Sequence, residues 1–357
     1  AGSSLLISGN TLQIAGTITN NGTFDASNGT ILMNGSSAQT IGASVFSSNT
    51  IMNLTISNAA GVSLLGPLNV TGIVNIQNGN FASAGNLTLV SSASGTALID
   101  GSGAGTVAGN VTMQRYLPSK FGYKYISSPF QSATVNELSD DIDLGASFPP
   151  LFSYNEGSAT SGWVDYITAA DPLSRLLGYA ANFGSSGVPF TADITGTVNN
   201  GPLSITLYNN NNPYTLGFNL VGNPYPSPVN WDAGSGWTKT NIDNALYYFK
   251  ASTTDEYGGT YSTYINGISS DGQATAIIPS MQGFFIHVSD GSYPVTGTLG
   301  FNNSVRVTDL MHPFVKSEEK SQLPLIRLGA AFTDDPASTD PMVIYFDEKA
   351  QTGFDTY

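Results

Sequence analysis

The residues of this 357-residue chain that best suit chemistry are acidic clusters, three tryptophans and two histidines. The acidic residues form two clusters, Asp140, Asp141 and Asp143 in one and Asp334, Asp335 and Asp340 in the other. Carboxylates at such short spacing can supply oxygen ligands for Ca²⁺, although neither cluster has the Gly at position 6 and the Glu at position 12 of an EF-hand loop. The calcium hypothesis is that at least one cluster binds Ca²⁺ as a structural clip. The alternative is that both are solvated acidic loops.

Trp163, Trp231 and Trp237 suit a platform for sugars, because the face of an aromatic ring matches the C–H face of a pyranose. Trp231 and Trp237 lie at or near the stiff segment Gly222–Trp231, in which three prolines fix the backbone, and are the better candidates for exposure. The alternative is an aromatic core, which is common in β-sandwiches. Aromatic residues recur at equivalent positions of the repeat described below, and this favours the core.

The histidines do not indicate catalysis. His287 lies in a strand pattern and His312 in a linker, and no Ser, Cys or paired carboxylate stands at a diagnostic spacing to either. The sequence has no phosphate-binding loop or dinucleotide fingerprint, and with no cysteines it has no disulfides, zinc thiolates or thiol nucleophile. We predict a protein that is not an enzyme and needs no cofactor. Glycoside hydrolysis stays open as an activity, because it depends on the distance between two carboxylates in the folded protein and not on their spacing in the sequence.

Bulk composition argues against several classes of partner. The net charge of −14 disfavours nucleic acid and anionic membrane surfaces. Charged residues make up only 10% of the chain, against about 25% in typical soluble domains. Gly, Asn, Ser and Thr fill the difference, which favours short strands and tight turns.

No apolar run approaches the ~20 residues of a transmembrane helix. No signal peptide is visible at Ala1, so we expect a piece of a longer protein.

Residues 1–113 are predicted to form a parallel β-solenoid. Short β-type runs recur there between Asn-Gly, Ser-Gly and Ala-Gly pairs. A solenoid uses short strands with apolar side chains inward and stacked Asn, Ser or Thr outward. Arg115 is the first basic residue. The scarcity of charge before it favours stacked coils, because stacking would bring like charges together. A sandwich of hairpins is the alternative.

Residues 114–304 contain a tandem duplication, in which four segments of repeat 1 recur in the same order in repeat 2. They pair Gly122–Phe130 with Gly217–Tyr225, Leu151–Tyr154 with Leu246–Phe249, Leu177–Tyr179 with Gln282–Phe284, and Thr195–Val198 with Thr296–Leu299. We predict two β-sandwich modules, residues 114–208 and 209–304, with one brief helix near Ser132–Ser139. Residues 305–357 are predicted to begin a further β domain or to form linker strands.

The order of these motifs resembles that in the C-terminal half of large secreted and cell-surface proteins of Bacteroidota. The segments that carry the resemblance follow the solenoid-like coils and are Gln114–Tyr116, Ile126–Pro129, Gly217–Ser227 and Met281–Phe285. In that family the region usually precedes a sorting domain read by the type IX secretion system, and this sequence lacks that tail. The resemblance implies secretion and a position at the cell surface, and it implies no catalytic activity.

Together these observations predict an all-β protein with an N-terminal parallel β-solenoid followed by tandem β-sandwich modules. We expect an extracellular or cell-surface protein with a structural or adhesive role. One alternative is a carbohydrate-binding accessory module of a secreted enzyme, with surface glycans as partners. The other is a filament subunit that self-associates through the solenoid end and the unpaired C-terminal strands. Neither nucleic acid nor a membrane span is expected.

Overall fold

The computed structural model describes residues 2–311, 325–332 and 335–345. The regular elements in these ranges are strands and three short 3₁₀ helices, and no α-helix occurs among them. The all-β prediction is therefore confirmed. Within the same ranges, no helix has the length and apolar character needed to cross a membrane.

The N-terminal strands stack in parallel. They are β1 Ser4–Ile14, β2 Thr23–Met33, β3 Gln39–Ile41, β4 Thr50–Ser57, β5 Val62–Leu64, β6 Leu68–Val70, β7 Ile73–Asn78, β8 Asn80–Ala82, β9 Leu87–Leu89, β10 Ser91–Ser92, β11 Gly95–Thr96, β12 Leu98–Ile99, β13 Thr106–Ala108 and β14 Asn110–Leu117, with the 3₁₀ helix η1 Ser47–Asn49. One sheet follows the order β1-β2-β4-β6-β9-β14 and a second the order β3-β5-β8-β13. The resulting stack has about six turns and confirms the predicted solenoid.

The solenoid core repeats the same position in successive coils. Ile51, Val70 and Leu89 are in register, and all three are fully buried. Asn69 is in register with Thr88 on the polar side of the coil. Apolar residues therefore point inward at every second position, while uncharged polar residues stack outside.

The two ends of the stack differ. At one end, β14 pairs in parallel with β9 and antiparallel with a later strand, β19 Phe190–Thr197, so the solenoid is joined directly to the part of the chain that follows it. At the other end, β1 pairs only with β2 among the described residues, and Leu6 is 64% exposed. Self-association through this end stays a prediction.

The remaining strands form several separate sheets, apart from β19, which pairs with β14 and so extends the first solenoid sheet. They are β15 Tyr123–Ser127, β16 Leu151–Tyr154, β17 Trp163–Asp165, β18 Gly178–Asn182, β19 Phe190–Thr197, β20 Leu203–Asn209, β21 Phe218–Gly222, β22 Val229–Asn230, β23 Trp237–Thr240, β24 Ala245–Ala251, β25 Gly259–Ile265, β26 Ile268–Ser269, β27 Ile277–Ile278, β28 Gly283–His287, β29 Val295–Phe301, β30 Leu325–Phe332 and β31 Asp335–Tyr345, with the 3₁₀ helices η2 Val135–Leu138 and η3 Asn303–Val305. The helix η2 lies within the predicted Ser132–Ser139 segment.

The main sheets of the two repeats have the same strand order. Repeat 1 forms β15-β18-β16-β17, and repeat 2 forms β21-β28-β24-β25 with β26 added at the edge. A further strand pair accompanies each sheet. In repeat 1, β14 pairs with β19, and in repeat 2, β29 pairs with β20, which lies almost wholly before the predicted boundary at residue 208. The domain boundaries at residues 113, 208 and 304 stay a prediction. In the third predicted segment, β30 and β31 form an antiparallel hairpin.

Candidate functional site

The main sheet of each repeat presents two apolar faces. Along β15, Ile126 packs in the core that continues from the solenoid, whereas Tyr125 points to the opposite side. Along β28, Phe284 packs in the core of repeat 2 and Phe285 on the opposite side. Side chains alternate between the faces of a strand. Aromatic residues at every second position therefore build a third cluster, distinct from both cores.

This third cluster draws on both repeats. Its buried members are Tyr123, Tyr125, Ala180, Leu220 and Phe285, and its partly buried members are Phe152, Tyr154, Trp163, Phe218, Tyr247 and Phe249. We call it, together with the exposed rim residues Phe148, Tyr214, Leu216, Tyr257 and Tyr261, the aromatic groove. Tyr125 is central, because its ring stacks on Phe249 at 4.9 Å and meets Phe285 edge-on at 5.6 Å.

Two backbone bridges join the repeats beside the groove. They connect Ile126 to Gln282 and Leu177 to Val221. In the alignment of the repeats, Ile126 corresponds to Val221 and Leu177 to Gln282. Replacing each residue by its aligned counterpart therefore converts one bridge into the other. This is the contact pattern of an isologous two-fold interface.

Two pockets open along the groove. Pocket I has a volume of about 400 Å³ and is lined by Tyr123, Tyr125, Phe148, Phe152, Trp163, Ala180, Phe249, Tyr257 and Tyr261. Pocket II has a volume of about 300 Å³ and is lined by Tyr154, Trp163, Tyr214, Thr215, Leu216, Phe218, Tyr247, Tyr261 and Phe285. These volumes lie at the lower end of the range for small-molecule sites. Trp163 and Tyr261 line both pockets.

The indole of Trp163 is held between the repeats. Its ring centroid lies 5.1 Å from that of Tyr154, 5.7 Å from that of Tyr125 and 5.9 Å from that of Phe285. Such tilted and edge-to-face contacts fix the orientation of an aromatic ring. Trp163 is only partly buried, so part of the indole stays accessible from both pockets.

The lining of the groove is aromatic and uncharged. None of the residues named above for either pocket carries a formal charge. Burial raises the pKa of Tyr123 and of Tyr154 to about 12, and it also raises the pKa of Tyr247. A phenol with its ordinary pKa of about 10 is already neutral at physiological pH, and burial moves these three still further from ionisation. Tyr214 and Tyr257 at the rim are 68% and 60% exposed, and a surface of this kind marks a binding site more often than a bare monomer surface.

Residues of repeat 1 hold the loops of repeat 2 that wall the groove. Glu156 is buried, and its backbone carbonyl accepts a hydrogen bond from the Thr215 hydroxyl at 2.7 Å. Its carboxylate accepts from the Asn210 backbone N–H at 3.0 Å. At the other pocket, the Asn182 side chain donates to Glu256 at 3.0 Å. Sequence reasoning missed these polar residues, because no local motif distinguishes them from loop residues.

The predicted tryptophans occupy two different places. Trp163 lies in the groove, whereas Trp231 and Trp237 lie together in repeat 2, with ring centroids 4.9 Å apart. Trp231 is 1% exposed, and its Nε1–H donates to Asn244 at 2.8 Å. The Lys239 ammonium covers its ring at 3.5 Å. Trp231 therefore has no free ring face for a sugar, and the expectation that it is among the most exposed tryptophans was wrong.

The acidic cluster of Asp140, Asp141 and Asp143 does not form a metal-sized site. Among the described residues, no three His, Asp or Glu side chains are arranged to hold a metal ion. Asp140 and Asp143 are exposed and Asp141 is half-buried. Asp334 lies outside the described residues, and Asp335 and Asp340 are positions on β31 whose side chains are not described. Calcium binding stays a prediction.

Replacing Asp141 with asparagine is expected to stabilise the protein at pH 7. Burial raises the pKa of Asp141 to about 6, so the folded chain keeps this proton at pH values where the unfolded chain, with a pKa near 3.8, has lost it. The contribution of Asp141 to the free energy of unfolding therefore falls as pH rises from about 4 to about 6. We expect Asp141→Asn to raise Tm at pH 7 by about 2 °C, measured by circular dichroism with EDTA present.

The exposed Asp143 provides the control, since Asp143→Asn should change Tm far less. Asp140 is not suitable, because its charge contributes to the raised pKa of Asp141. Equal Tm–pH profiles for wild type and Asp141→Asn would contradict the assignment.

His287 pairs with Asp243, whose carboxylate also binds a serine. The His287 Nδ1 lies 2.6 Å from one Asp243 oxygen, and the Ser289 hydroxyl donates to the other at 2.6 Å. The Ser289 hydroxyl therefore bonds to the carboxylate and not to the imidazole. In a Ser–His–Asp relay, the serine hydroxyl bonds to the imidazole. His312 lies outside the described residues.

Residues 19–357 match a family model described as a domain of unknown function, DUF8693. The chain belongs to the DUF8693 family. No curated protein and no solved structure matches it. The matched range includes both repeats and every residue of the groove, so the groove is part of the DUF8693 domain.

Proposed function

We propose that this DUF8693 protein is a non-catalytic adhesive protein of the extracellular space or cell surface, and that it binds neutral carbohydrate in the aromatic groove. The observation that carries the proposal is the row of partly exposed rings around Trp163. These rings offer flat apolar faces and neutral phenol groups, which together suit the C–H faces and hydroxyls of a sugar. Since no charged residue lines either pocket, a neutral sugar fits better than a uronic acid or a sulfated glycan.

The proposed architecture gives each part a role. Each repeat would be one β-sandwich module, made of its main sheet and its accompanying strand pair. The solenoid would act as a rigid spacer that carries the modules away from an attachment point. The motifs shared with Bacteroidota surface proteins support secretion through the type IX system, which is part of this proposal.

Retention on insoluble neutral polysaccharides tests the proposal. The full chain is mixed with cellulose, chitin or xylan, and the protein left in the supernatant is measured. We expect at least one polysaccharide to retain the wild type. Trp163→Ala removes the ring that lines both pockets, and loss of a central aromatic anchor costs about 2 kcal/mol, or about 30-fold in Kd.

The control is another exposed aromatic residue. Tyr208 is 48% exposed and lines neither pocket, so Tyr208→Ala should bind like the wild type. Thermal melting establishes that each variant is folded. Failure of the wild type to bind any of the three polysaccharides, or full retention of Trp163→Ala, would contradict the proposal.

A further inference from the structure

The two pockets correspond to each other through the alignment of the repeats. Six residues that line pocket II have aligned counterparts that all line pocket I. In the order pocket II to pocket I, the pairs are Phe218 and Tyr123, Tyr247 and Phe152, Tyr154 and Phe249, Phe285 and Ala180, Trp163 and Tyr261, and Tyr261 and Trp163. The exchange of repeats that interchanges the two backbone bridges therefore also interchanges the pockets.

The strand register fixes the least obvious of these pairs. Tyr154 on β16 faces Trp163 on β17, and the aligned residue Phe249 on β24 faces Tyr261 on β25. Trp163 and Tyr261 are thus equivalent positions of the two repeats. Because each lines both pockets, Trp163 and Tyr261 lie where the two pockets meet, and we call this place the junction.

Close backbone contacts on the two sides of this junction obey the same relation. A Cβ on Gly178 would lie 2.6 Å from the carbonyl oxygen of Val221, and a Cβ on the aligned Gly283 would lie 2.8 Å from the carbonyl oxygen of the aligned Ile126. Neither position admits a side chain without a shift of backbone. The repeats are therefore held in one mutual orientation, and the pockets keep a fixed separation.

We propose that the two pockets are paired half-sites for a single neutral glycan chain, which crosses the junction and places one or more sugar rings in each pocket. This inference rests on the proposed function and names its ligand more closely: a linear, uncharged polysaccharide with similar repeating units. A polymer of like units offers both pockets sugar rings of the same kind. Because a two-fold relation makes the pockets meet the directional chain in opposite senses, both pockets must recognise ring faces and hydroxyls and not chain direction. A monosaccharide or a ligand with one distinctive group would use one pocket only.

The half-sites are related without being identical. Where repeat 1 has Tyr125 and Ala180 in register, repeat 2 has Leu220 and Phe285. Each repeat thus supplies one ring from this pair, but from a different strand. The two pockets are expected to bind short oligosaccharides with different affinities, and a long chain gains from both because its second contact is intramolecular.

Isothermal titration with cello-, xylo- and chito-oligosaccharides of two to eight units tests the pairing. In the wild type, we expect the affinity for at least one series to rise at least 10-fold at the length that reaches the second pocket, with one long chain bound per protein. The matched variants Phe152→Leu and Tyr247→Leu each remove one ring from one pocket at aligned positions. Both should abolish this rise while leaving the short oligosaccharides bound at the other pocket.

Leucine keeps apolar bulk at both positions. If Phe152→Leu or Tyr247→Leu does not melt like the wild type, Phe249→Leu and Tyr154→Leu provide a second aligned pair of variants. Oligosaccharide binding that depends on one pocket alone, or that shows no dependence on length, overturns the pairing and leaves the proposed function standing. Failure of every oligosaccharide and polysaccharide to bind the wild type overturns both. Binding of a proline-rich peptide instead of any glycan would also overturn both.

Discussion

Replacing Gly222 with alanine is expected to lower the free energy of unfolding by about 3 kcal/mol. The added Cβ overpacks the tight contact between the repeats and forces backbone shifts. A Cβ on Gly222 would lie 2.1 Å from the Cβ of Ser127 and 3.0 Å from the carbonyl oxygen of Leu177. Ser127 is fully buried and cannot swing into solvent. Urea denaturation followed by circular dichroism measures the loss.

Two further variants identify the cause. A Cβ on Gly234 would have no atom within 4 Å, so Gly234→Ala should leave stability nearly unchanged. Since Gly222 and Ser127 are aligned positions that face each other, adding Ser127→Gly to Gly222→Ala should recover at least about 1 kcal/mol of the loss, a coupling typical of residues in contact. Additive losses in the double variant would contradict the proposed clash.

Replacing Trp231 with alanine is expected to lower the free energy of unfolding by about 4 kcal/mol, since the variant loses the buried apolar surface of the ring and leaves a cavity in its place. Trp231 is 1% exposed and packs against Phe284 and Trp237. The variant also removes the hydrogen-bond donor to Asn244 and the ring beneath the Lys239 ammonium. The same urea denaturation measures this loss.

Trp231→Phe is the matched control, because it keeps a ring in the site and should cost less than half as much. Polysaccharide retention by folded Trp231→Phe should equal that of the wild type. Weakened retention with unchanged stability would restore Trp231 as a sugar platform and contradict its assignment to the core.

The solenoid could be predicted because its signal is local. Each coil repeats a short apolar run, and residues such as Ile51, Val70 and Leu89 follow one another at near-constant spacing. The repeats could be aligned for the same reason, through segments such as Gly122–Phe130 and Gly217–Tyr225 that retain their glycine, proline and aromatic positions. The fold class therefore followed from composition and period.

The groove was beyond sequence reasoning because it depends on how two sheets meet. Period-2 alternation shows that Tyr125 and Ile126 face opposite ways, but not which face is a core and which is open. The link between Trp163 and Tyr261 was hidden because the hairpin of repeat 2 has longer strands. Trp163 follows its partner Tyr154 by 9 positions, whereas Tyr261 follows Phe249 by 12. Trp231 was misplaced because proximity to a proline-rich loop suggests exposure, whereas the loop Gly222–Ser227 is itself buried.

The indole Nε1–H signals of the three tryptophans test glycan binding by the aromatic groove most directly. The full chain is labelled with ¹⁵N at the indoles, Trp163→Phe assigns one signal, and hexasaccharides of cellulose, xylan and chitin are added in turn. We expect at least one hexasaccharide to shift the Trp163 signal while the signal of the buried Trp231 stays in place. A Trp163 signal that stays fixed with all three, or that stays fixed while Trp231 or Trp237 shifts, would contradict binding in the groove.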